Sequence, residues 1–204
     1  MVRRTTVLTM VSAAMLAGCA GIGTEVTVTK GAPAEIGKGA RTYVLTNDPI
    51  DSARRDATRY RALVSTALAR GGFDAVDGGQ ARYSVSLAYD TRLQSISVAS
   101  GETCEPGGDC GSNGSRAVFS WPWQKTYVHS LTLRFFDREN GHEVYKVRAE
   151  RSDHRADENE AFPYLVDSAL AQLPYASEGR WDVKLRPASG ASQGAGVVSA
   201  TRIR

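Results

Sequence analysis

The side chains in this sequence that could do covalent or acid–base chemistry are scarce: three cysteines, three histidines and one Gly-x-Ser-x-Gly pattern. Cys19 follows a short basic end, Arg3-Arg4, an apolar run from Val7 to Leu16, and the small residues Ala17-Gly18. That run is too short to cross a bilayer as a helix, which takes about 20 residues, and has the length of a secretory signal core. Cys104 and Cys110 enclose Glu105-Pro106-Gly107-Gly108-Asp109. In an exported chain a close pair within a Gly-rich loop reads as a disulfide. Closing that loop is worth about 2.4 kcal/mol in the chain-entropy account. A metal pair and a redox pair are the competing readings. A structural zinc wants four ligands, and there is no second cysteine pair and no histidine nearby. The spacing also differs from Cys-x-x-Cys. A structural disulfide between Cys104 and Cys110 fits best.

The remaining chemistry does not assemble in the sequence. Ser192 lies in Gly190-Ala191-Ser192-Gln193-Gly194. A nucleophile elbow needs a strand before it and a helix after it, whereas this stretch sits in a Gly-, Ala- and Ser-rich tail. Asn113-Gly114-Ser115 matches a glycosylation sequon. His129 falls on the apolar side of an alternating run, the place of a core histidine. His142 opens a return strand. Asp153-His154 with Asp157 and Glu158 could hold a metal weakly, but a solvated charged loop explains them as well, without helical His-x-x-x-His spacing. No Gly-rich phosphate loop precedes a helix, so no cofactor is expected. Trp121-Pro122-Trp123 offers flat aromatic area on a rigid backbone. Such planes can stack on sugar rings, dip into a membrane interface, or cap a core.

Leu16-Ala17-Gly18-Cys19 resembles the lipobox of bacterial lipoproteins. The resemblance implies a diacylglycerol on the Cys19 sulfur, cleavage before Cys19 and acylation of the new amino group. Ala20 stands where an aspartate would imply inner-membrane retention, so the resemblance implies the outer membrane. Two or more acyl chains hold a protein stably where one does not. It also implies that the Asn113 sequon is not used. The paired arginines suit a twin-arginine signal only in part, because Thr5-Thr6-Val7 lack its Phe-Leu portion; general secretion is expected.

Removing residues 1–18 leaves 186 of the 204 residues and lowers the net charge from +3 to +1, because Arg3 and Arg4 leave with the signal. That is one domain of ordinary size with no basic field for nucleic acid. Alternation predicts strands at 24–30, 41–46, 73–76, 83–90, 127–135, 145–149 and 181–185. Ala53, Ala57, Tyr60, Val64, Ala67 and Leu68 give a helical stripe, capped at its start by Asp51 or Ser52 and ended by Gly71-Gly72. Arg54, Arg55, Arg59 and Arg61 lie off that stripe, either as contacts for lipid phosphates or as a solvated face paired with Asp51 and Asp56. Phe162 to Leu173 gives a second stripe, with Pro163 in its first turn and Pro174 as its stop. Asp137 to Gly141 reads as a hairpin turn with an Asn-Gly signal. Residues 91–124 form a long excursion.

The expected fold is α+β: a mainly antiparallel sheet with two helices on one face, plus a long disulfide-bearing loop. The expected organisation is a signal at 1–18, an acylated linker at 19–23, one domain at 24–186 and a flexible tail at 187–204. The lipobox, Leu68-Ala69-Arg70-Gly71-Gly72-Phe73, the Ala81–Asp90 strand, the Leu131–Val144 hairpin and Gln172-Leu173-Pro174 together resemble the Gram-negative lipoproteins grouped as domain of unknown function 4136. The resemblance covers about residues 24–175 and departs at the cysteine-bearing insertion. It carries no catalytic residues. The expectation is a non-catalytic lipoprotein of the outer membrane, facing the periplasm. Its partners are the membrane, through Cys19, and an envelope protein or glycan, met at Trp121 and Trp123. The alternative is an envelope lipid or peptidoglycan hydrolase whose site converges only in three dimensions.

Overall fold

The computed structural model describes residues 21–31, 36–46, 56–94, 125–187 and 195–204. Among the described residues eight strands form one sheet: β1 (Ile22–Lys30), β2 (Thr42–Thr46), β3 (Asp74–Ala75), β4 (Tyr83–Leu93), β5 (Tyr127–Asp137), β6 (Glu143–Asp153), β7 (Gly179–Arg186) and β8 (Gly196–Arg202). Their order across the sheet is β3-β2-β4-β5-β6-β1-β7-β8. Only β2 pairs in parallel, with β3 and β4. The helices are α1 (Ala57–Arg70) and α2 (Glu158–Ala169).

Period-two alternation in the strands produces a single buried face. Tyr89 pairs with Leu131, Leu131 with Ala149, Ala149 with Val26, and Val26 with Trp181. This one apolar row crosses five strands, and every member of it is buried. The next rows are built the same way, from Leu87, Leu133, Val147 and Val28, and from Val85, Phe135 and Tyr145. Both helices pack on this face. α1 contributes Tyr60, Val64, Ala67 and Leu68, the stripe its spacing foretells; α2 contributes Ala161, Phe162, Leu165, Val166 and Ala169. The Phe162 ring stacks on Tyr60, with centroids 3.9 Å apart, and meets Tyr89 edge-on at 5.2 Å.

The turns obey local chemistry. Gly141 closes the β5–β6 hairpin at φ +74°, a left-handed conformation that suits glycine. Asp137 Oδ1 accepts from the Glu139 N–H and Asn140 Oδ1 from the His142 N–H, each at 2.9 Å. Gly72 ends the first helix at φ +77°, where Gly71 donates back to the Ala67 carbonyl.

Several boundaries differ from those the residue pattern predicts. The described part of α1 begins at Ala57 after Asp56; Asp51 and Ser52 lie outside the described residues. α2 starts earlier, because Asp157 accepts from the Asn159 N–H and so caps it. Pro163 therefore falls in the second turn, where its missing N–H leaves the Asn159 carbonyl without a helical donor. The helix also ends at Ala169 rather than Leu173. The tail expected to be flexible from residue 187 forms β8 at 196–202, antiparallel to β7. Val197, Val198 and Thr201 favour the extended chain, and the ladder to β7 carries Gly196, Ser199 and Ala200 along with them.

Candidate functional site

Cys19, Cys104, Cys110, Trp121 and Trp123 all lie outside the described residues. What the structure gives is the ground on which those segments stand. Gln94 and Thr126 are joined by a 2.7 Å backbone hydrogen bond and root the 95–124 segment. That bond continues the β4–β5 ladder, whose outermost pair is Leu93 and Tyr127. Tyr127 also pairs with Asp153, the last residue of β6. β1 starts at Ile22 on the other side of β6 and runs antiparallel to it, Glu25 opposite Glu150. The entry of the chain, both roots of the excursion and the β6–α2 turn therefore share one end of the sheet. Leu93 stands there with 52% of its surface exposed.

Just inside that end lies the most connected polar cluster of the described residues. His129 is fully buried on the helix-covered face, as a core histidine would be. Its Nδ1 lies 3.0 Å from Tyr89 Oη and 2.9 Å from Thr91 Oγ1, and its Nε2 lies 2.9 Å from the Arg155 carbonyl. Donation from Nε2 to the Arg155 carbonyl, with Nδ1 facing the Tyr89 and Thr91 hydroxyls, satisfies this arrangement. Asp153 Oδ1 is 3.4 Å from Nε2 and also accepts from the Arg155 N–H. The cluster pins β4, β5 and the start of the β6–α2 turn to one another. Buried and bonded at both nitrogens, His129 presents no atom to a substrate. The partners are readable in principle: Tyr89, Thr91 and His129 share a parity once β4 and β5 are paired.

The other candidate residues disperse. His154 Nδ1 lies 3.2 Å from the Lys125 carbonyl, Asp157 caps α2, and Asp153 serves the turn. Among the described residues no group of three or more His, Cys, Asp or Glu side chains could hold a metal. The arginines of α1 hold the fold together. Arg59 donates to Asn159 Oδ1 at 2.9 Å, Arg61 to the Leu45 carbonyl at 3.2 Å and Arg70 to Asp167 at 2.6 Å. These contacts tie the helix face to α2 and β2, so it is more than a solvated surface. Arg54 and Arg55 lie outside the described residues.

Among the described residues, depressions are found at two places. One, of about 460 Å³, sits at the far end of the sheet between Arg82, Asp137, Arg138 and Glu139. Arg138 is already spent there on the Gly78 and Ala81 carbonyls. The other, of about 360 Å³, runs between the ends of α1 and α2 and the start of β8, along Leu170, Leu173 and Val197, with the Arg70–Asp167 pair in its wall. The buried tyrosines Tyr145 and Tyr175 form a structural pair. Burial pushes the Tyr145 phenol up to about 12, against a smaller lowering from the Tyr175 N–H, and burial pushes Tyr175 up as well. Tyr175 Oη donates to the Ser168 carbonyl at 2.6 Å.

The family model of a domain of unknown function, DUF4136, matches residues 32–175. The chain belongs to the DUF4136 family. Within the DUF4136 domain the match spans β2 to the turn after α2, and β1, β7 and β8 lie outside it. No curated protein matches the chain. Among solved structures, a PDZ domain protein from Parabacteroides distasonis is 15% identical, with a TM-score of 0.49 over 81% of this chain. The match covers 40% of that structure. A dodecamer of PelC from Paraburkholderia phytofirmans is 16% identical, with a TM-score of 0.42 over 74% of this chain and 99% of that one. Likeness at this level assigns no activity to the DUF4136 domain.

Proposed function

We propose that the protein is an outer-membrane lipoprotein, anchored through acylated Cys19, whose DUF4136 domain faces the periplasm and acts by binding or by structure rather than by catalysis. The observation that carries this is Leu16-Ala17-Gly18-Cys19, set behind a basic end and an apolar core and only three residues before β1. Support for a non-catalytic role comes from His129, whose ring nitrogens are committed to the fold. In this reading Cys104 and Cys110 form a disulfide, and Trp121 and Trp123 meet an envelope protein or glycan. No helix among the described residues is long and apolar enough to cross a membrane. Cys19→Ser tests the anchor: the variant should accumulate as an unprocessed precursor that takes up no labelled fatty acid. Normal acyl labelling of that variant would refute it.

A further inference from the structure

We propose that β8 is a docking edge that takes up an acidic, extended segment of another protein as an added strand. The site uses none of Cys19, Trp121 and Trp123, so it goes beyond the reading above.

The argument begins with the backbone. Among the described residues the sheet ends differently at its two sides. β3 is two residues long, Asp74–Ala75, whereas β8 runs for seven, Gly196–Arg202. The Ile203 N–H donates to the Arg180 carbonyl at 2.8 Å. In an antiparallel ladder every second residue bonds to the partner strand. Ile203, Thr201 and Ser199 thus turn their backbone groups to β7, and Arg202 and Ala200 turn theirs outward. Among the described residues no strand receives them. Edges are commonly blocked by proline, charge or a bulge. β8 holds no proline and no charge before Arg202. Its ladder does shift between Lys184 and Leu185, which leaves Val198 without an opposite residue. An added strand therefore pairs along 199–203, short of that bulge.

Side chains choose the occupant. Three of the four large hydrophobic side chains exposed among the described residues belong to β8 or the residue after it: Val197 at 45%, Val198 at 51% and Ile203 at 38%. Beside Val197 opens the groove along Leu170 and Leu173, which has room for an apolar side chain. From Gly179 to Arg204 the chain holds five cations, Arg180, Lys184, Arg186, Arg202 and Arg204, against one acid, Asp182. The other acids nearby are engaged. Glu25 pairs with Arg180 at 3.7 Å, Asp167 pairs with Arg70 at 2.6 Å, and Glu178 accepts from the Lys30 N–H. Lys184, Arg186, Arg202 and Arg204 are exposed and form no ion pair among the described residues. Two copies set edge to edge would double this positive charge, so the fit is to a segment rich in Asp and Glu. Anionic lipid would meet the cations but offers no donor to the outward carbonyls. An extended polypeptide offers donor and acceptor at the strand's own spacing, with alternate side chains for the apolar sites.

The probe is a labelled peptide of alternating valine and glutamate, as long as β8, followed by fluorescence anisotropy with the full-length chain in neutral detergent. Strand addition predicts saturable binding that weakens about tenfold when alternate peptide amides are N-methylated, which keeps the charge and removes the donors. Ala200→Pro should weaken binding by a similar factor. The N–H it removes points away from β7, so the ladder and the unfolding transition should hold. Arg202→Glu combined with Arg204→Glu should also weaken binding. Absence of saturable binding overturns the proposal, as does equal binding of the methylated peptide. Unchanged binding by an Ala200→Pro protein that unfolds as the native chain does overturns it too. A dimer of the chain in sedimentation that Ala200→Pro dissolves would give the edge to a second copy and likewise overturn it.

Discussion

The two faces of the sheet are made by the same strands and differ in almost everything else. In the middle of the covered face, neighbours across strands are aromatic or aliphatic and almost all are fully buried. On the open face the same alternation places Glu25, Arg134, Arg148, Glu150, Arg180 and Asp182, with ion pairs running between them and to Glu143. The comparison teaches a division of labour. Stability resides where side chains are interlocked and dry, because burial and packing act over large areas while exposed ion pairs contribute little. The open face, where acids and bases stand side by side, is left to set solubility.

The sharpest way to break the comparison is Phe162→Ala. It removes a ring wedged between Tyr60 and Tyr89 and should cost about 3–5 kcal/mol in urea or guanidinium unfolding. A loss below about 1 kcal/mol would mean the covered face is not the seat of stability. His129→Leu should cost about 2 kcal/mol, because the Tyr89 hydroxyl loses its acceptor and the Arg155 carbonyl its donor at a buried ring, while Thr91 keeps its bond to Tyr89 Oη. Unchanged stability in that variant would show that the polar cluster is dispensable.

Alkali gives the third test. The Tyr145 phenol is raised in the folded state from an ordinary 10 to about 12, and Tyr175 is raised too. A raised phenol favours the neutral form in the fold, so its stabilising effect is whole below pH 10 and is lost as pH climbs towards 12. The expected loss is on the order of 2 kcal/mol. Unfolding followed at pH 9 and pH 11 should show a steeper fall for the native chain than for Tyr145→Phe. Arg180→Ala is the smallest expected effect, under about 0.5 kcal/mol and insensitive to salt above physiological strength. A loss comparable to that of His129→Leu would erase the distinction between the faces.

Much of the covered face is legible in the order of residues alone. Tyr83, Val85, Leu87 and Tyr89 alternate cleanly, as do His129, Leu131, Leu133 and Phe135, and a two-residue period admits one interpretation when one face is dry. Asn140-Gly141 marks the hairpin, and Gly71-Gly72 the end of α1. What escapes such a reading is non-local. Val197, Val198 and Thr201 favour a strand, but Gly196, Ser199 and Ala200 break the alternation, and pairing with β7 completes it. The parallel partnership of β2 with β3 and β4 depends on the crossover through α1, which local periodicity does not encode. The lipobox-like run Leu16-Ala17-Gly18-Cys19 is the reverse case, a resemblance carried by residue order alone that needs no fold to be read. The Arg59 and Arg61 contacts stay hidden because a charge on a helix looks the same whether it meets water or another element.

β1 is the first strand among the described residues and lies in the interior of the sheet, between β6 and β7. Glu25 must wait for Glu150, and Val26 for Trp181. A chain delivered amino end first cannot complete its sheet until most of its length has arrived, so folding is governed by late, long-range closure. The same placement makes the finished domain hard to unravel by its start. A pull on the amino-terminal end loads β1 along its axis against ladders on both flanks, and those hydrogen bonds share the force instead of opening one after another.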